Sequence, residues 1–341
     1  MIKTLIVDDS SLVRNIIRDF LVKDGSFAIV GEAENGREAV EAARNLNPDL
    51  ITMDIEMPVM NGLDAIGEIT KFMTTAIVVI SSNDSTKMAY DATVRGALEF
   101  YSKDVFTDRA DPRRKQKVLD TLKKVAGIKK SFSVPVKSRT GNAEIAMRRI
   151  EAVVIAASTG GPKAMSSLCA DLHENFPVPI LLVQHNSSGF DAGFVQWLGI
   201  VAALKVCLAE EGVKPAAGYI YVAPTDTHLV LKDGVFMFDH REPVHNQKPA
   251  ADILFESAAK TYGKALVSVV LTGMGSDGAE GTVQVKKAGG ITIAQDEQSS
   301  AVYGMPQAAT ETGCVDIVLP LNSIAGKLVS LTENVQSGGK I

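Results

Sequence analysis

One feature constrains this chain more than any other: a strict alternation of apolar runs and amphipathic segments, which occurs twice. The runs TLIV (4–7), FAIVGEA (27–33), LITM (50–53), AIVVI (76–80) and LEFY (98–101) recur with segments such as Ser11–Lys23 and Gly36–Asn45 between them. Short continuous apolar runs read as strands buried on both faces, and apolar residues three and four apart read as helices. Five such strands predict a doubly wound α/β domain, a (βα)5 unit over 1–126. From about Ile150 the alternation restarts with EAVVIAAS, PILLVQ, YIYVAP, LVSVVLT and GGITIAQ. A second, larger, mostly parallel α/β domain is expected over 150–335. Between them, GIKKSFSVPVKSRTGNAE is rich in Lys, Ser, Pro and Gly and predicts a linker over 127–149.

The helix closing the first domain is signalled at both ends, with Asp111 to cap it, Pro112 in its first turn and Gly127 at its exit. Arg113, Arg114, Lys115, Lys117, Lys123, Lys124, Lys129 and Lys130 concentrate here and read as a solvated face running into the linker. No recognition motif accompanies them, so no nucleic-acid partner is expected. Three distant cysteines (Cys169, Cys207, Cys314) form no C-x-x-C pair, which fits a reducing compartment and argues against a disulfide framework or zinc site. The opening MIKTLIVDD meets two acids too early for a signal-peptide core, and no run approaches the ~20 apolar residues of a membrane span. A cytoplasmic chain without membrane insertion is expected.

In open α/β sheets, ligands bind outside the carboxyl ends of the strands. In the first domain those ends carry Asp8 and Asp9, Asp54, Ser81 and Ser82, and Lys103. Three carboxylates converging with one ammonium suit a hard cation with few oxygen ligands, which points to Mg²⁺. With negative charge absorbed, one carboxylate can attack a phosphoryl donor. Asp8-Asp9, Asp54 followed by IEMPVMNG, ISS at 80–82, Gly96-Ala97 and Lys103 together closely resemble the receiver domain of two-component response regulators. The resemblance implies that Asp54 is the phospho-acceptor, with a histidine kinase as phosphodonor. It implies Mg²⁺ on Asp9 and Asp54, with the Glu56 carbonyl as a further ligand and Asp8 acting through water. Ser81 would touch the phosphoryl group, Lys103 would be its cationic partner, and Phe100 the aromatic switch position. Asp104 stands where that family usually carries proline.

In the second domain, Ala156-Ala157-Ser158-Thr159-Gly160 approximates the small-x-Ser-x-small turn that exposes a nucleophile between strand and helix. PILLVQ delivers His185 to the same sheet edge. The stretch TGMGSDG, Thr272 to Gly278, then offers two readings. Its G-x-G-x-x-G spacing suits a dinucleotide cradle, with Asp296 ~20 residues on as a ribose-binding acid. Against that, Asp277 would face the phosphates. Alternatively the glycines make a tight turn, Asp277 orients the His185 imidazole, and His185 takes the proton of Ser158. Three strand-end residues of the right types favour the hydrolase. A receiver-controlled binding module without chemistry is a third class. His173, His228, His240 and His245 have no metal spacing and read as incidental.

ASTGGP, QH, LTGMGSDGAEG and YGMP resemble the catalytic domain of the chemotaxis protein-glutamate methylesterase family over about 150–335, and a preceding receiver is that family's architecture. The resemblance implies Ser158 as nucleophile, His185 as base and Asp277 as its orienting acid, with Thr159 and the Met274 amide beside the oxyanion. It implies no cofactor for the hydrolytic domain. The implied substrates are glutamyl methyl esters on methyl-accepting chemotaxis receptors, with deamidation of glutamines, giving receptor adaptation. Phosphorylation of Asp54 would uncover a Ser158 cleft that the receiver otherwise blocks. Asn186-Ser187 replaces the family's Met-Pro after the histidine, and Pro249-Ala250-Ala251-Asp252 replaces Pro-Ser-Val-Asp. Both segments are expected to line the cleft.

Overall fold

The computed structural model describes residues 1–82, 86–107, 110–127 and 149–333. The chain divides into two units, Met1–Ser131 and Phe132–Ile341. The stretch expected as a linker lies outside the described residues, apart from Gly127 and Arg149.

In the first unit, β1 (Ile2–Val7), β2 (Phe27–Ala33), β3 (Leu50–Met53), β4 (Ala76–Ser81) and β5 (Glu99–Ser102) alternate with α1 (Ser11–Asp24), α2 (Gly36–Leu46), α3 (Gly62–Phe72), α4 (Thr86–Arg95) and α5 (Pro112–Ala126). The strands pair in parallel in the order β2-β1-β3-β4-β5. Every residue of LITM is buried, as in a parallel sheet covered on both faces. α5 begins where Asp111 accepts a hydrogen bond from Arg113 N at 2.9 Å. It buries Val118, Leu122 and Val125, a four-then-three spacing that keeps them on one face. Burying each such side chain stabilises by about 1.5–3 kcal/mol. The basic face of α5 is not wholly solvated, because Arg114 pairs with Asp104 at 3.0 Å and Lys123 with Asp24 at 2.7 Å.

The second unit is built on seven parallel strands, β6 (Ala152–Ala157), β7 (Ile180–Gln184), β8 (Lys205–Leu208), β9 (Tyr219–Val222), β12 (Leu266–Val270), β13 (Ile291–Gln295) and β14 (Ile317–Leu319), in the order β14-β13-β12-β6-β7-β9-β8. Its helices are α6 (Gly161–Ala170), α7 (Asp191–Val201), α8 (Ala251–Tyr262), α9 (Ala279–Lys287), α10 (Met305–Glu311) and α11 (Leu321–Glu333). A separate antiparallel hairpin, β10 (His228–Lys232) with β11 (Val235–Asp239), completes it. Both doubly wound α/β domains expected from the alternation are therefore present.

Three elements had escaped the sequence reading. β8 and β14 are edge strands of four and three residues, only half-buried or exposed, so their apolar stretches are too short to stand out. The hairpin turns through Asp233 and Gly234, at φ 53° and 78°. A D-G pair with both residues left-handed is the favoured two-residue hairpin turn, so LVLKDGVFMF carried a legible signal.

Candidate active site

β1 and β3 are neighbours at the point where the strand order of the first sheet reverses, so Asp8, Asp9 and Asp54 leave it side by side. One carboxylate oxygen from each lies within 4.8 Å of the others. Asp8 and Asp54 are buried and Asp9 is exposed. Lys103 Nζ stands 2.8 Å from Oδ2 of Asp8 and 2.8 Å from Oδ2 of Asp54. Asp54 Oδ1 accepts from Ile55 N at 2.8 Å. Burial, opposed by Lys103 and reinforced by the Asp8 charge, pushes the Asp54 carboxyl up to about 6. Ser81 is buried at the end of β4. Phe100 is buried and meets Tyr90 edge-to-face at 4.8 Å, while Glu56 is exposed in the loop after β3. Asp104 is held by Arg114, so its charge is partly compensated. The cluster fits a divalent cation: oxygens of three acids, two of them buried, converge and one lysine bridges two of them.

In the second sheet, β6 lies between β12 and β7, and the chain runs outward in both directions from there. The loops after these three adjacent strands carry Ser158, His185 and Asp277. The Ser158 turn is fixed from several sides. Ser158 N donates to Thr272 O at 3.1 Å, and Gly161 N closes the turn onto Ser158 O at 2.7 Å. Gln184 Nε2 reaches both Ser158 O and His185 O at 3.1 Å. Thr272 Oγ1 donates to Thr159 O at 2.9 Å and accepts from Val302 N at 2.9 Å. Thr159 itself is buried and Met274 is half-buried in the loop opposite. Gly160 has φ 75°, a left-handed backbone that a side chain resists, and α6 begins at the next residue.

The glycine loop after β12 packs as tightly. A methyl group on Gly273 would stand 2.3 Å from Met305 Sδ and 2.8 Å from Ser158 Cβ. Gly304 N and Met305 N both donate to Gly273 O, so YGMP clamps this loop against the serine turn. Asp277 is 2% exposed. His185 Nε2 lies 2.8 Å from its Oδ2. Ala251 N donates to Oδ2 at 2.7 Å and Asp252 N to Oδ1 at 2.9 Å. Burial alone would raise the Asp277 carboxyl, but His185 and these two amides together hold it below the usual carboxylate range. An ionised carboxylate only accepts, so Nε2 carries a hydrogen, which in a neutral imidazole leaves the lone pair on Nδ1. That Nδ1 is buried and has no hydrogen-bond partner. His185 N donates to Ala157 O at 2.9 Å, which ties the two loops at the main chain. The imidazole thus meets Asp277, while among the described residues no hydrogen bond joins it to the Ser158 hydroxyl.

Asp296 faces its own turn, with Oδ1 accepting from Ser299 N and Oγ. The acid that a dinucleotide reading needs is thus locally satisfied, and Asp277 fills the loop where a phosphate would lie.

Sequence reading missed several supporting residues. Asp252 is buried and accepts from Gly278 N and Gly281 N at 2.9 and 2.6 Å. His228 is no loop histidine: it begins β10, is fully buried, and its Nδ1 accepts from Ala250 N at 3.1 Å. His245 contacts Asp252 Oδ2 at 3.2 Å. The segment Pro249–Asp252 supports Asp277 through its main chain. Asn186, with Nδ2 buried and unpartnered, adjoins His185.

Residues 153–328 match the family described as CheB methylesterase. The chain belongs to the CheB methylesterase family. Residues 4–111 match the family described as response regulator receiver domain. A protein-glutamate methylesterase/protein-glutamine glutaminase of Pyrococcus horikoshii is 38% identical, over 100% of this chain and 96% of its own length. One of Anaeromyxobacter dehalogenans, named protein-glutamate methylesterase/protein-glutamine glutaminase 2, is 39% identical over 97% of each. The crystal structure of the Thermotoga maritima CheB methylesterase catalytic domain is 39% identical, covers 53% of this chain and 98% of that one, and superposes with a TM-score of 0.52. This CheB-family chain is a hydrolase, a methylesterase domain joined to a receiver domain. Among the described residues, no helix is long and apolar enough to cross a membrane.

Proposed function

We propose that this protein hydrolyses glutamyl methyl esters on methyl-accepting chemotaxis receptors, and deamidates glutamines there, through Ser158, His185 and Asp277. The observation that carries the reading is the His185–Asp277 contact with the opposite imidazole nitrogen left as an acceptor. Asp277 stays ionised and holds Nε2–H, which leaves Nδ1 to take the Ser158 proton as Oγ attacks the ester carbonyl. The imidazolium formed is supported by the carboxylate and later gives the proton to the departing methoxy oxygen or amide nitrogen, which leaves as methanol or ammonia. Water then cleaves the acyl-enzyme with the same base. Backbone amides at Thr159 and Met274 are suited to receive the oxyanion, and losing one such donor typically costs ~2.7–4 kcal/mol. No cofactor enters these steps.

The receiver supplies regulation. Asp54 accepts a phosphoryl group from a histidine kinase, Ser81 and Lys103 contact it, and Phe100 responds. Mg²⁺ held by Asp9, Asp54 and the Glu56 carbonyl, with Asp8 through water, would neutralise charge on the transferring phosphoryl group. Phosphorylation shifts the population toward a form whose Ser158 site accepts receptor. A reducing, cytoplasmic setting accords with three free cysteines.

A serine-directed phosphonate tests the chemistry. Labelling that maps to Ser158 and disappears in His185→Ala is the expected result; labelling elsewhere, or none, contradicts it. Equal ester hydrolysis with and without phosphorylated Asp54 contradicts the regulatory part.

A further inference from the structure

The N-termini of α8 and α9 exchange caps. Asp277, in the loop entering α9, accepts from Ala251 N and Asp252 N in the first turn of α8. Asp252, in that first turn, accepts from Gly278 N and Gly281 N at the start of α9. Four orphan amides of two helices are thus satisfied by two carboxylates, each anchoring the loop that carries the other. Both residues are buried, Asp252 at 7% and Asp277 at 2% exposure. A methyl group on Gly281 would stand 2.6 Å from Phe255 Cβ and 3.1 Å from Asp252 Cα, so the two helices approach too closely for either end to drift alone.

We propose that Asp252 is a positioning residue for the hydrolysis, fixing the Asp277 carboxylate against His185 by this exchange of caps. The inference rests on the Ser158–His185–Asp277 reading and deepens it. Asp252 Oδ1 is the atom that receives both amides of α9. Its Oδ2 faces His245 of the 244–247 turn at 3.2 Å. Two like charges a few ångströms apart in a buried site repel, and burial together with the Asp277 charge pushes the Asp252 carboxyl up to about 6. The arrangement is retained at that cost because four amides and two imidazoles, His185 on Asp277 and His245 on Asp252, compensate it. A second negative charge beside the His185–Asp277 pair also favours the imidazolium formed in the reaction.

Two variants of the full chain separate positioning from charge. Asp252→Ala removes the cap of α9, and is expected to lower kcat by roughly 10- to 100-fold with KM within about 2-fold, since small misplacements cost this much. Asp252→Asn keeps the acceptor oxygen and is expected to recover most of that loss. It also moves the acid limb of the kcat/KM profile to lower pH, because an imidazolium forms less readily without the second charge. The ionisable groups facing Asp252 are His245 and Asp277, with His185 behind the latter, and the profile is read with all three intact. Should Asp252→Ala not fold, as judged by its circular-dichroism melt, Asp252→Asn carries the test alone. Wild-type kcat in Asp252→Ala, or an unmoved acid limb in Asp252→Asn, overturns the proposal. Ser158→Ala measured alongside separates the two levels. If it keeps wild-type activity, the triad reading falls and the positioning role with it. If it is inactive while Asp252→Ala is unimpaired, only the positioning role falls.

Discussion

His185 meets Asp277 through Nε2, at 2.8 Å, which leaves the buried Nδ1 without a hydrogen-bond partner. In the chymotrypsin-type triad the nitrogens are used the other way round. The carboxylate still sets which tautomer is present. Asp277→Asn offers an amide that can donate to Nε2 and drive the hydrogen onto Nδ1. We expect kcat for ester hydrolysis to fall by ~10³–10⁴-fold, with stability lowered by about 1–3 kcal/mol because the buried Ala251 amide loses its acceptor. A loss below tenfold, measured by steady-state hydrolysis, would show that the tautomer does not govern the rate.

The raised Asp54 carboxyl makes receiver stability pH-dependent in metal-free buffer. Its folded value, about 6, lies above the ordinary 3.8. The folded state therefore binds this proton more tightly, and the Asp54 contribution to stability is greatest below about pH 4 and declines as pH rises through 6. The decline is on the order of 2–3 kcal/mol. Asp54→Asn should abolish most of it, and Mg²⁺ should restore stability at pH 7 but not at pH 4. Denaturant melts in EDTA across this range measure the slope.

Lys103 compensates two buried carboxylates at once. Lys103→Met leaves both uncompensated at pH 7 and should destabilise the first unit by about 2 kcal/mol, less than the ~3–5 of a fully buried pair because Lys103 is 28% exposed. Millimolar Mg²⁺ should recover part of the loss, as read by thermal melts with and without the metal.

Gly273 leaves no room for a methyl group beside Ser158. Gly273→Ala should reduce hydrolysis by ~10²-fold by displacing the serine turn or the YGMP clamp. Gly326→Ala, within α11 and with nothing near its added methyl, should raise stability by about 0.5–1 kcal/mol and leave hydrolysis unchanged. Parallel activity and melting measurements distinguish the two.

Much of this was legible because parallel sheets put function at strand ends. Asp8, Asp54 and Lys103 could be grouped from the alternation alone, and so could the approach of His185 to Asp277. Asp252 and His228 could not, because they act through main-chain amides and helix caps that have no spacing in the sequence. Asp252 stands in Pro249-Ala250-Ala251-Asp252, and its buried carboxylate accepts from Gly278 N and Gly281 N. His228 has no metal spacing in the sequence, yet its Nδ1 accepts from the amide of Ala250, the residue that caps α8. The imidazole nitrogen facing Asp277 was equally beyond reach, since it depends on ring orientation.

Methanol release from methylated receptor membranes tests the central claim most directly, with wild-type protein and Ser158→Ala compared at equal concentration. The account predicts release by the wild type and a loss of at least ~10³-fold in the variant. Comparable release from both would contradict it, and the hydroxyl of Ser158 would no longer be the attacking group.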